Sequence, residues 1–334
     1  HQTKVDGTSI AWTELGNGHP VVLLHGLVDS HRTWRRAAPL LAREFRVIMP
    51  DLPGHGWSGR PDAPYTLDWH ARIVARWMDA IGVAKAHVCG HSFGGGIAQW
   101  MLLNNRSRVD RLALVAPGGL GRAVSLSLKL ATFPLLGPAL TPPVLRIGVF
   151  VGSRFLSGAF GGMEPREAQL FIHMCGMPGT ARAFRRSVAG VVNLSGQYVQ
   201  TIERVHEINP LPAIALFWGA EDPVIPVSQG ASFLDLFTGV TLTTYPGCGH
   251  FPQLATHSAF ARDLVAFLSD PLRSPAALRP RNVEEPLSAS ADSGCRRPRP
   301  LREWSDSVLH AKVDTTGDPQ PRPALQCRAT SSMA

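Results

Sequence analysis

The amino-acid sequence predicts an α/β protein in which a mostly parallel β-sheet is flanked by helices. Two observations carry this prediction. Short apolar runs, such as residues 21–24 and 213–218, alternate along the chain with longer segments in which apolar residues recur every three or four positions. The runs are apolar throughout, as expected of strands buried on both faces of a parallel sheet. Strands that alternate with helices form such a sheet through right-handed crossovers.

The expected elements follow one another regularly in the first part of the chain. A Gly-Asn-Gly turn separates the first two strands, and the helix before the central strand has apolar residues at helical spacing. Strands are expected at residues 9–15, 21–24, 46–49, 86–89 and 111–115, and helices at residues 31–43, at residues 66–81 and directly after Ser92. The alternation returns with strands at residues 213–218 and 240–245 and helices at residues 227–237 and 258–268.

Between these two regular parts the alternation stops. Residues 118–209 are apolar and rich in Gly and Pro, and residues 165–196 have helical spacing. We therefore predict a core made of residues 1–117 and 210–270, with residues 118–209 inserted as a helical cap. In this cap the apolar residues 126–133 are expected to pack inside, with partial exposure to a pocket.

The composition changes again after residue 270. Pro, Arg, Ser and Ala dominate residues 271–334, and hydrophobic periodicity is weak. Such a segment buries too little apolar surface to offset its ordering entropy, so we expect a mostly disordered tail. A functional basic arm and unconstrained read-through sequence are the alternatives.

Composition excludes several classes of function. The chain has 334 residues and a net charge of +8, but its basic residues are scattered, which disfavours nucleic-acid binding. Five cysteines without C-x-x-C spacing predict neither a disulfide framework nor a metal site, and reduced thiols favour the cytoplasm. No leader precedes the first strand, although the chain begins with His1 and a leader could have been removed. No apolar run of about 18 residues is present, so stable membrane insertion is not expected.

The residues Gly-His-Ser-Phe-Gly at 90–94 connect an expected strand to an expected helix. In this setting a G-x-S-x-G sequence presents the serine hydroxyl at the tip of a sharp, strained turn. The helix N-terminus that follows adds free N–H groups and a partial positive charge. A chain with 32 glycines can contain the motif by chance, and it is the strand–turn–helix setting that favours Ser92 as a nucleophile.

A serine nucleophile needs a base, and the base needs an acid that orients it. His250 lies in a glycine-containing loop between an expected strand and the last helix, at the carboxyl end of a strand, where parallel sheets place their chemistry. Asp222 follows another buried strand and precedes Pro223, which favours an extended conformation. Glu221 is the rival acid. The order Ser92, Asp222, His250 is the order in which this triad occurs on such sheets.

An oxyanion hole requires two backbone N–H groups that face the oxygen of the tetrahedral intermediate. One is expected from Phe93, which directly follows the nucleophile. The other is expected from Leu27, in the loop after the strand at residues 21–24. His25 is expected to brace this loop rather than to react.

Together these motifs resemble the α/β-hydrolase superfamily, in its capped branch of small esterases and related hydrolases. The resemblance covers residues 5–268 and implies a core sheet of about eight strands, a helical cap inserted after the sixth strand, and a reaction without a cofactor. Five motifs carry it in chain order: His25-Gly26, residues 51–58, residues 90–95, residues 218–226 and residues 249–252.

Within this superfamily the expected activity is hydrolysis of a carboxylic ester, with a small apolar ester as the partner; the oligomeric state stays open. Relatives that open epoxides or remove halogens carry Asp at the nucleophile position, so Ser92 argues against both. Relatives that cleave carbon–carbon bonds in ring-fission products share the Ser triad and often have Trp where this chain has Phe251. That activity is the alternative. A catalytically silent binding protein is disfavoured because all three triad residues are present.

Relatives that cleave carbon–carbon bonds also use an arginine of the cap, and the resemblance raises the question of which residue would correspond to it here. Arg182, Arg185 and Arg186 lie in an expected cap helix and could bind a substrate carboxylate through paired hydrogen bonds, although a solvated helix face is the favoured interpretation. The candidate substrate-binding residues are His25, His91, Arg182, Arg186 and Phe251.

Overall fold

The computed structural model describes residues 1–132, 165–199, 201, 204, 207–208, 210–272 and 274–278. All described residues belong to one compact unit. Among the described helices, none combines the length and apolar character needed to cross a bilayer.

The core of the unit is an eight-stranded sheet. The described strands are β1 (Gln2–Val5), β2 (Thr8–Leu15), β3 (His19–Leu24), β4 (Phe45–Pro50), β5 (Ala86–His91), β6 (Val109–Val115), β7 (Val192–Asn193), β8 (Gly196–Gln197), β9 (Ala213–Gly219), β10 (Phe237–Thr238), β11 (Thr241–Tyr245) and β12 (Ala277–Leu278). Eight of them form the sheet in the order β1-β2-β4-β3-β5-β6-β9-β11. The pairs β1–β2 and β2–β4 are antiparallel, and the other pairs are parallel, so the predicted mostly parallel sheet is confirmed.

Helices cover both faces of the sheet. Alternate residues of β3 point to opposite sides: Val22 packs in the cluster that contains Trp77, and Leu23 packs in the cluster that contains Phe260. The helices are α1 (Ala38–Leu41), α2 (Leu67–Ala80), α3 (Phe93–Asn104), α4 (Leu126–Leu130), α5 (Pro165–Gly176), α6 (Thr180–Ala189), α7 (Ser228–Leu236), α8 (Pro252–Ala255) and α9 (His257–Ser269).

Two expected helices are shorter than the sequence predicts. The region 31–43 contains a 3₁₀ turn at His31–Trp34 and the short α1 instead of one helix, because Pro39 in the first turn of α1 has no N–H to extend a preceding helix. The helical region 165–196 ends at Ala189, and a hairpin of β7 and β8 follows. Gly196 has φ 119° at the start of β8, a conformation that suits a turn and not a helix.

The described residues between β6 and β9 add no strand to the eight-stranded sheet; they form α4, α5, α6 and the β7–β8 hairpin. This arrangement is compatible with the predicted cap, and much of its first half lies outside the described residues. At the other end of the core, the first residues of the predicted tail contact the core. Ala276 is buried and β12 pairs with β10, whereas residues 279–334 lie outside the described part.

Candidate active site

Ser92 lies at the sharp turn between β5 and α3, with φ 52° and ψ −115°. Two glycines of the motif make this turn sterically feasible. A Cβ on Gly90 would lie 2.3 Å from the carbonyl oxygen of Gly94, and a Cβ on Gly94 would lie 2.4 Å from the carbonyl oxygen of His25. Any side chain at either position would therefore push the backbone apart.

Backbone hydrogen bonds stabilise the strained serine. The Ser92 N–H donates to the carbonyl of Val115 on the neighbouring strand at 2.9 Å. The Ser92 carbonyl accepts from the N–H of Gly118 at 3.0 Å and from that of Gly96 at 3.2 Å. Positive φ at a non-glycine residue costs free energy and persists only when its surroundings enforce it.

Asp222 and His250 form a short, buried pair. Nδ1 of His250 lies 2.7 Å from Oδ2 of Asp222, and the two side chains are 6% and 0% exposed. Oδ1 of Asp222 accepts from the N–H groups of Val224 and Ile225 at 2.8 and 3.0 Å, so both oxygens are fixed. Since a carboxylate only accepts, Nδ1 of His250 is the ring nitrogen that carries the proton in the neutral imidazole. Glu221, the rival acid, is exposed.

His91 connects the serine turn to the histidine loop. Its Nε2–H donates to the carbonyl of His250 at 2.8 Å, and the two rings lie 4.8 Å apart between centroids. Burial holds the pKa of His91 well below its usual value, so the ring is neutral. The structure thus brings the loops that carry Ser92, Asp222 and His250 together at the carboxyl ends of β5, β9 and β11.

The loop after β3 lies directly beside the serine. A Cβ on Gly26 would be 3.2 Å from Cβ of Ser92, which shows how closely the backbone approaches. Leu27 and Phe93, the predicted oxyanion-hole residues, line the same pocket as Ser92. The two expected N–H donors therefore come from segments that flank the hydroxyl.

Both ring nitrogens of His25, which lies at the start of this loop, have backbone hydrogen-bond partners. Its Nε2 accepts from the N–H of Leu52 at 2.9 Å, so Nδ1 carries the proton and lies 2.8 Å from the carbonyl of Gly26. Burial, together with the nearby His55, lowers the pKa of His25 to about 3, which keeps the ring neutral.

Asp51 is a structural residue of the site whose role the sequence does not reveal. Its fully buried carboxylate accepts from the backbone N–H and Nδ1 of His31 at 2.7 and 2.8 Å, and from the N–H of Trp57 at 2.7 Å. Burial raises its pKa, but the bonds and charge of His31 outweigh this and lower it overall. A Cβ on Gly56 would lie 2.2 Å from Cγ of Asp51, which explains this glycine of the motif at residues 51–58.

A pocket of about 400 Å³, including its open mouth, lies against Ser92. Its lining is apolar apart from Ser92 and Gln197. Leu128 is the member from the apolar stretch at residues 126–133. Leu126 and Leu130 are 68% and 50% exposed, so the prediction that this stretch packs inside is wrong for them, and residue 133 lies outside the described residues. The lining residues are Leu27, Leu67, Ser92, Phe93, Gly96, Gly118, Gly119, Val124, Leu128, Val191, Val192, Gln197, Val199 and Ile225.

Gln197 is a pocket residue that sequence analysis does not identify. Its Oε1 accepts from the N–H of Gly119 at 2.9 Å and its Nε2 donates to the carbonyl of Ala123 at 3.1 Å. It therefore fixes the segment that follows β6. No motif marks a single glutamine in a two-residue strand, and only the fold places it beside Ser92.

The remaining candidate substrate residues lie at the margin of the site. Arg182 donates to the carbonyls of Arg60 and Pro61 at 3.1 and 3.4 Å, and Arg186 pairs with Asp62. These arginines attach α6 to the loop before α2, and neither is among the residues that line the pocket. Phe251 packs against the rings of His91 and His250, with centroids 4.9 and 5.3 Å away.

A mostly parallel sheet with helices on both faces, a strained serine at a strand–helix turn and a buried Asp–His pair at neighbouring strand ends define a hydrolase-type α/β architecture. The family model for the α/β-hydrolase fold matches residues 19–255. The chain therefore belongs to the α/β-hydrolase family.

Individual relatives support this assignment. An uncharacterized protein of Mycobacterium tuberculosis is 30% identical over 256 residues, which is 74% of each chain. The 2-hydroxymuconate semialdehyde hydrolase of a Pseudomonas species is 29% identical over 262 residues, covering 76% of this chain and 88% of the relative. The solved meta-cleavage product hydrolase of Pseudomonas fluorescens superposes with a TM-score of 0.65 at 24% identity, covering 80% and 97% of the two chains.

Proposed function

We propose that this chain is a serine hydrolase that cleaves carboxylic esters through Ser92, His250 and Asp222. The observation that carries the proposal is the buried hydrogen bond of 2.7 Å between His250 and Asp222, on loops adjacent to the strained Ser92 turn. This pair fixes the imidazole with Nε2 as the free base, which is the tautomer that serine activation needs.

In the proposed mechanism, Nε2 of His250 takes the proton of the Ser92 hydroxyl as its oxygen attacks the ester carbonyl. Asp222 stabilises the imidazolium that forms. The N–H groups of Leu27 and Phe93 donate to the oxyanion, each worth roughly 3 kcal/mol of barrier in comparable sites. The imidazolium then protonates the leaving alcohol, and His250 activates a water that releases the acid from the acyl-enzyme.

The pocket lining favours an uncharged, apolar acyl group. Leu27, Val124, Leu128 and Ile225 surround the space beside Ser92. Burying an ionised group among such side chains is costly unless it is paired. We therefore expect esters of apolar acids to be better substrates than esters of acids that carry a second charge.

Carbon–carbon bond hydrolysis is the second candidate. It is favoured by relatives whose names state that activity, among them the 2-hydroxy-6-oxo-6-phenylhexa-2,4-dienoate hydrolase of Burkholderia cepacia at 28% identity over 278 residues. The same triad serves both reactions. Within the described part of the chain, however, Arg182 and Arg186 bind residues 60–63 and do not line the pocket, which gives a dienoate carboxylate no cation there.

Hydrolysis of p-nitrophenyl esters across a range of acyl lengths tests the proposal. We expect turnover by the wild type, loss of turnover in Ser92→Ala, and labelling of the wild type alone by a fluorophosphonate probe. Ser258→Ala, on the exposed surface of α9, is the matched control and should keep full activity. Turnover that survives in Ser92→Ala would disprove the assignment. Bleaching of a ring-fission dienoate chromophore without ester turnover would favour the second candidate.

A further inference from the structure

A cluster of potential metal ligands lies at the edge of the sheet opposite Ser92. It consists of His19 at the start of β3, His87 near the start of β5 and Asp110 near the start of β6. These strands are neighbours in the sheet, with β5 in the centre. One ligand atom from each residue lies within 4.8 Å of the other two.

The geometry of this cluster brings nitrogen and oxygen ligands into one small space. Nε2 of His19 is 2.8 Å from Oδ2 of Asp110, and the rings of His19 and His87 are 4.4 Å apart between centroids. His87 is only 8% exposed, and its buried Nδ1 has no hydrogen-bond partner. An unpaired buried nitrogen is uncommon in a folded protein and calls for an explanation.

Asp110 is the acidic member of the cluster, and its two oxygens have different neighbours. A metal binds the deprotonated forms of imidazole and carboxylate side chains. Lys85 pairs with Oδ1 of Asp110, while Oδ2 faces His19.

We propose that His19, His87 and Asp110 bind one divalent zinc ion, with water as the fourth ligand. Zinc accepts imidazole nitrogen and carboxylate oxygen in a tetrahedral arrangement at about 2.0–2.2 Å. The His19 side chain is 46% exposed and can move to bring the three ligand atoms to these distances. Lys85 competes with the metal for the Asp110 carboxylate, and Arg111 adds repulsion from the same strand as Asp110.

The proposed ion acts on stability and not on ester hydrolysis. His87 and Ser92 are separated by the length of β5, about 16 Å at roughly 3.3 Å per residue. A zinc ion at the cluster joins the starts of three central strands, and it raises the free energy of unfolding because the unfolded chain does not hold the three ligands together. The sequence shows no metal motif because each ligand comes from a different strand.

Metal titration of the untagged full chain tests this site. After removal of metals by a chelator, we expect the wild type to take up one equivalent of Zn²⁺ in competition with a chromophoric chelator, and Co²⁺ to give the visible absorption of a tetrahedral site. The variants His19→Ala and Asp110→Asn each remove a ligand. Loss of a residue that only hydrogen-bonds to a metal ligand weakens metal binding by roughly 10- to 100-fold. Loss of a ligand should weaken zinc binding by at least as much.

Two further variants make the test specific. His173→Ala removes an exposed histidine outside the cluster and should leave zinc affinity unchanged. Lys85→Gln removes the competing ammonium and should strengthen zinc binding several-fold; a structural ion-pair role of Lys85 predicts no such gain. Zinc should raise the unfolding temperature of the wild type and of Ser92→Ala equally. Equal zinc affinity in the wild type and His19→Ala, or one-equivalent binding that Asp110→Asn leaves intact, would overturn the proposal.

Discussion

Nε2–H of His91 donates a hydrogen bond of 2.8 Å to the backbone carbonyl of His250, and so the residue before the candidate nucleophile holds the loop of the candidate base. The two residues are far apart in sequence and their rings are nearly in contact. The spacing of the proposed triad therefore depends on a residue that need not take part in the chemistry.

Replacing His91 with Ala should misplace His250. The carbonyl of His250 would lose its buried donor, at a cost of about 1–3 kcal/mol in the free energy of unfolding. Because His250 would be less well positioned, kcat should fall while KM changes little. Urea denaturation and the kinetics of a p-nitrophenyl ester measure the two effects.

His91→Gln retains an N–H donor and serves as the matched control for this positioning role. It should recover part of kcat relative to His91→Ala, with the pH profile of the wild type. An equal loss of kcat in both variants would contradict the role of the hydrogen bond to His250.

Asp222→Asn tests the orientation of the imidazole. The amide would donate to Nδ1 or leave it poorly oriented, which places the proton on the wrong ring nitrogen. Comparable triads lose roughly 10⁴-fold in kcat on this change. Glu221→Gln alters the adjacent, exposed carboxylate and should retain activity. If kcat fell strongly in Glu221→Gln and only slightly in Asp222→Asn, Glu221 would be the acid of the triad.

The centre of this fold is readable from the sequence because its signals are local. Ser92 and Asp222 each follow an apolar, buried strand, His250 follows β11, and parallel strands bring their carboxyl ends to one edge of the sheet. The glycines at 90 and 94 are explained by contacts below 2.5 Å that any Cβ would make with the backbone. The mostly parallel direction of the strands follows from their alternation with helices, and the structure confirms it.

The features that sequence patterns miss depend on contacts between distant segments. Gln197 reaches the pocket from a two-residue strand, and Glu167 on α5 binds Arg32 in the turn after β3 through a hydrogen bond of 2.9 Å from Nε. Arg182 and Arg186 of α6 look available for a ligand, yet they bind the loop at residues 60–63. Periodicity reports which face of a helix is polar, and it carries no information on what that face touches.

Gly94→Ala should destabilise the serine turn and reduce turnover together. Its new Cβ would lie 2.4 Å from the carbonyl oxygen of His25, so the loop that carries the Leu27 N–H must move. Loss of one oxyanion donor costs roughly 10²- to 10³-fold in kcat. Kinetics and a thermal unfolding curve measure the change.

Gly96→Ala is the matched control on the same helix. Its Cβ would meet the end of the Leu67 side chain at 3.1–3.2 Å and the carbonyl oxygen of Gly118 at an ordinary contact distance of 3.8 Å. Ala is favoured over Gly inside a helix by about 0.5–1 kcal/mol. We therefore expect little loss of stability. If Gly94→Ala were as stable and as active as Gly96→Ala, the close approach of the two loops would not matter for the site.

Buried histidines beneath the site should make stability depend on pH. Burial is the largest cause that lowers the pKa of His25 and His55 to about 3 and that of His70 to about 4. In the unfolded chain a histidine titrates near 6.5, so between pH 6.5 and about 4 the unfolded state binds more protons than the folded state. Stability is thus fully present above pH 6.5 and is lost as the pH falls, by up to about 1.4 kcal/mol per pH unit for each residue.

His55→Phe tests this dependence. His55 donates from Nδ1 to the carbonyl of Pro53 at 2.9 Å, and its buried Nε2 has no hydrogen-bond partner, so an aromatic ring keeps the packing and removes the titration. Free energies of unfolding from urea curves at pH 7 and pH 5 should differ less in His55→Phe than in the wild type. The reason is that the unfolded variant binds one proton fewer at pH 5. If the free energy of unfolding depended on pH equally in the two proteins, His55 would be protonated in the folded state. Its buried position beside the rings of His25 and His70 disfavours that charge.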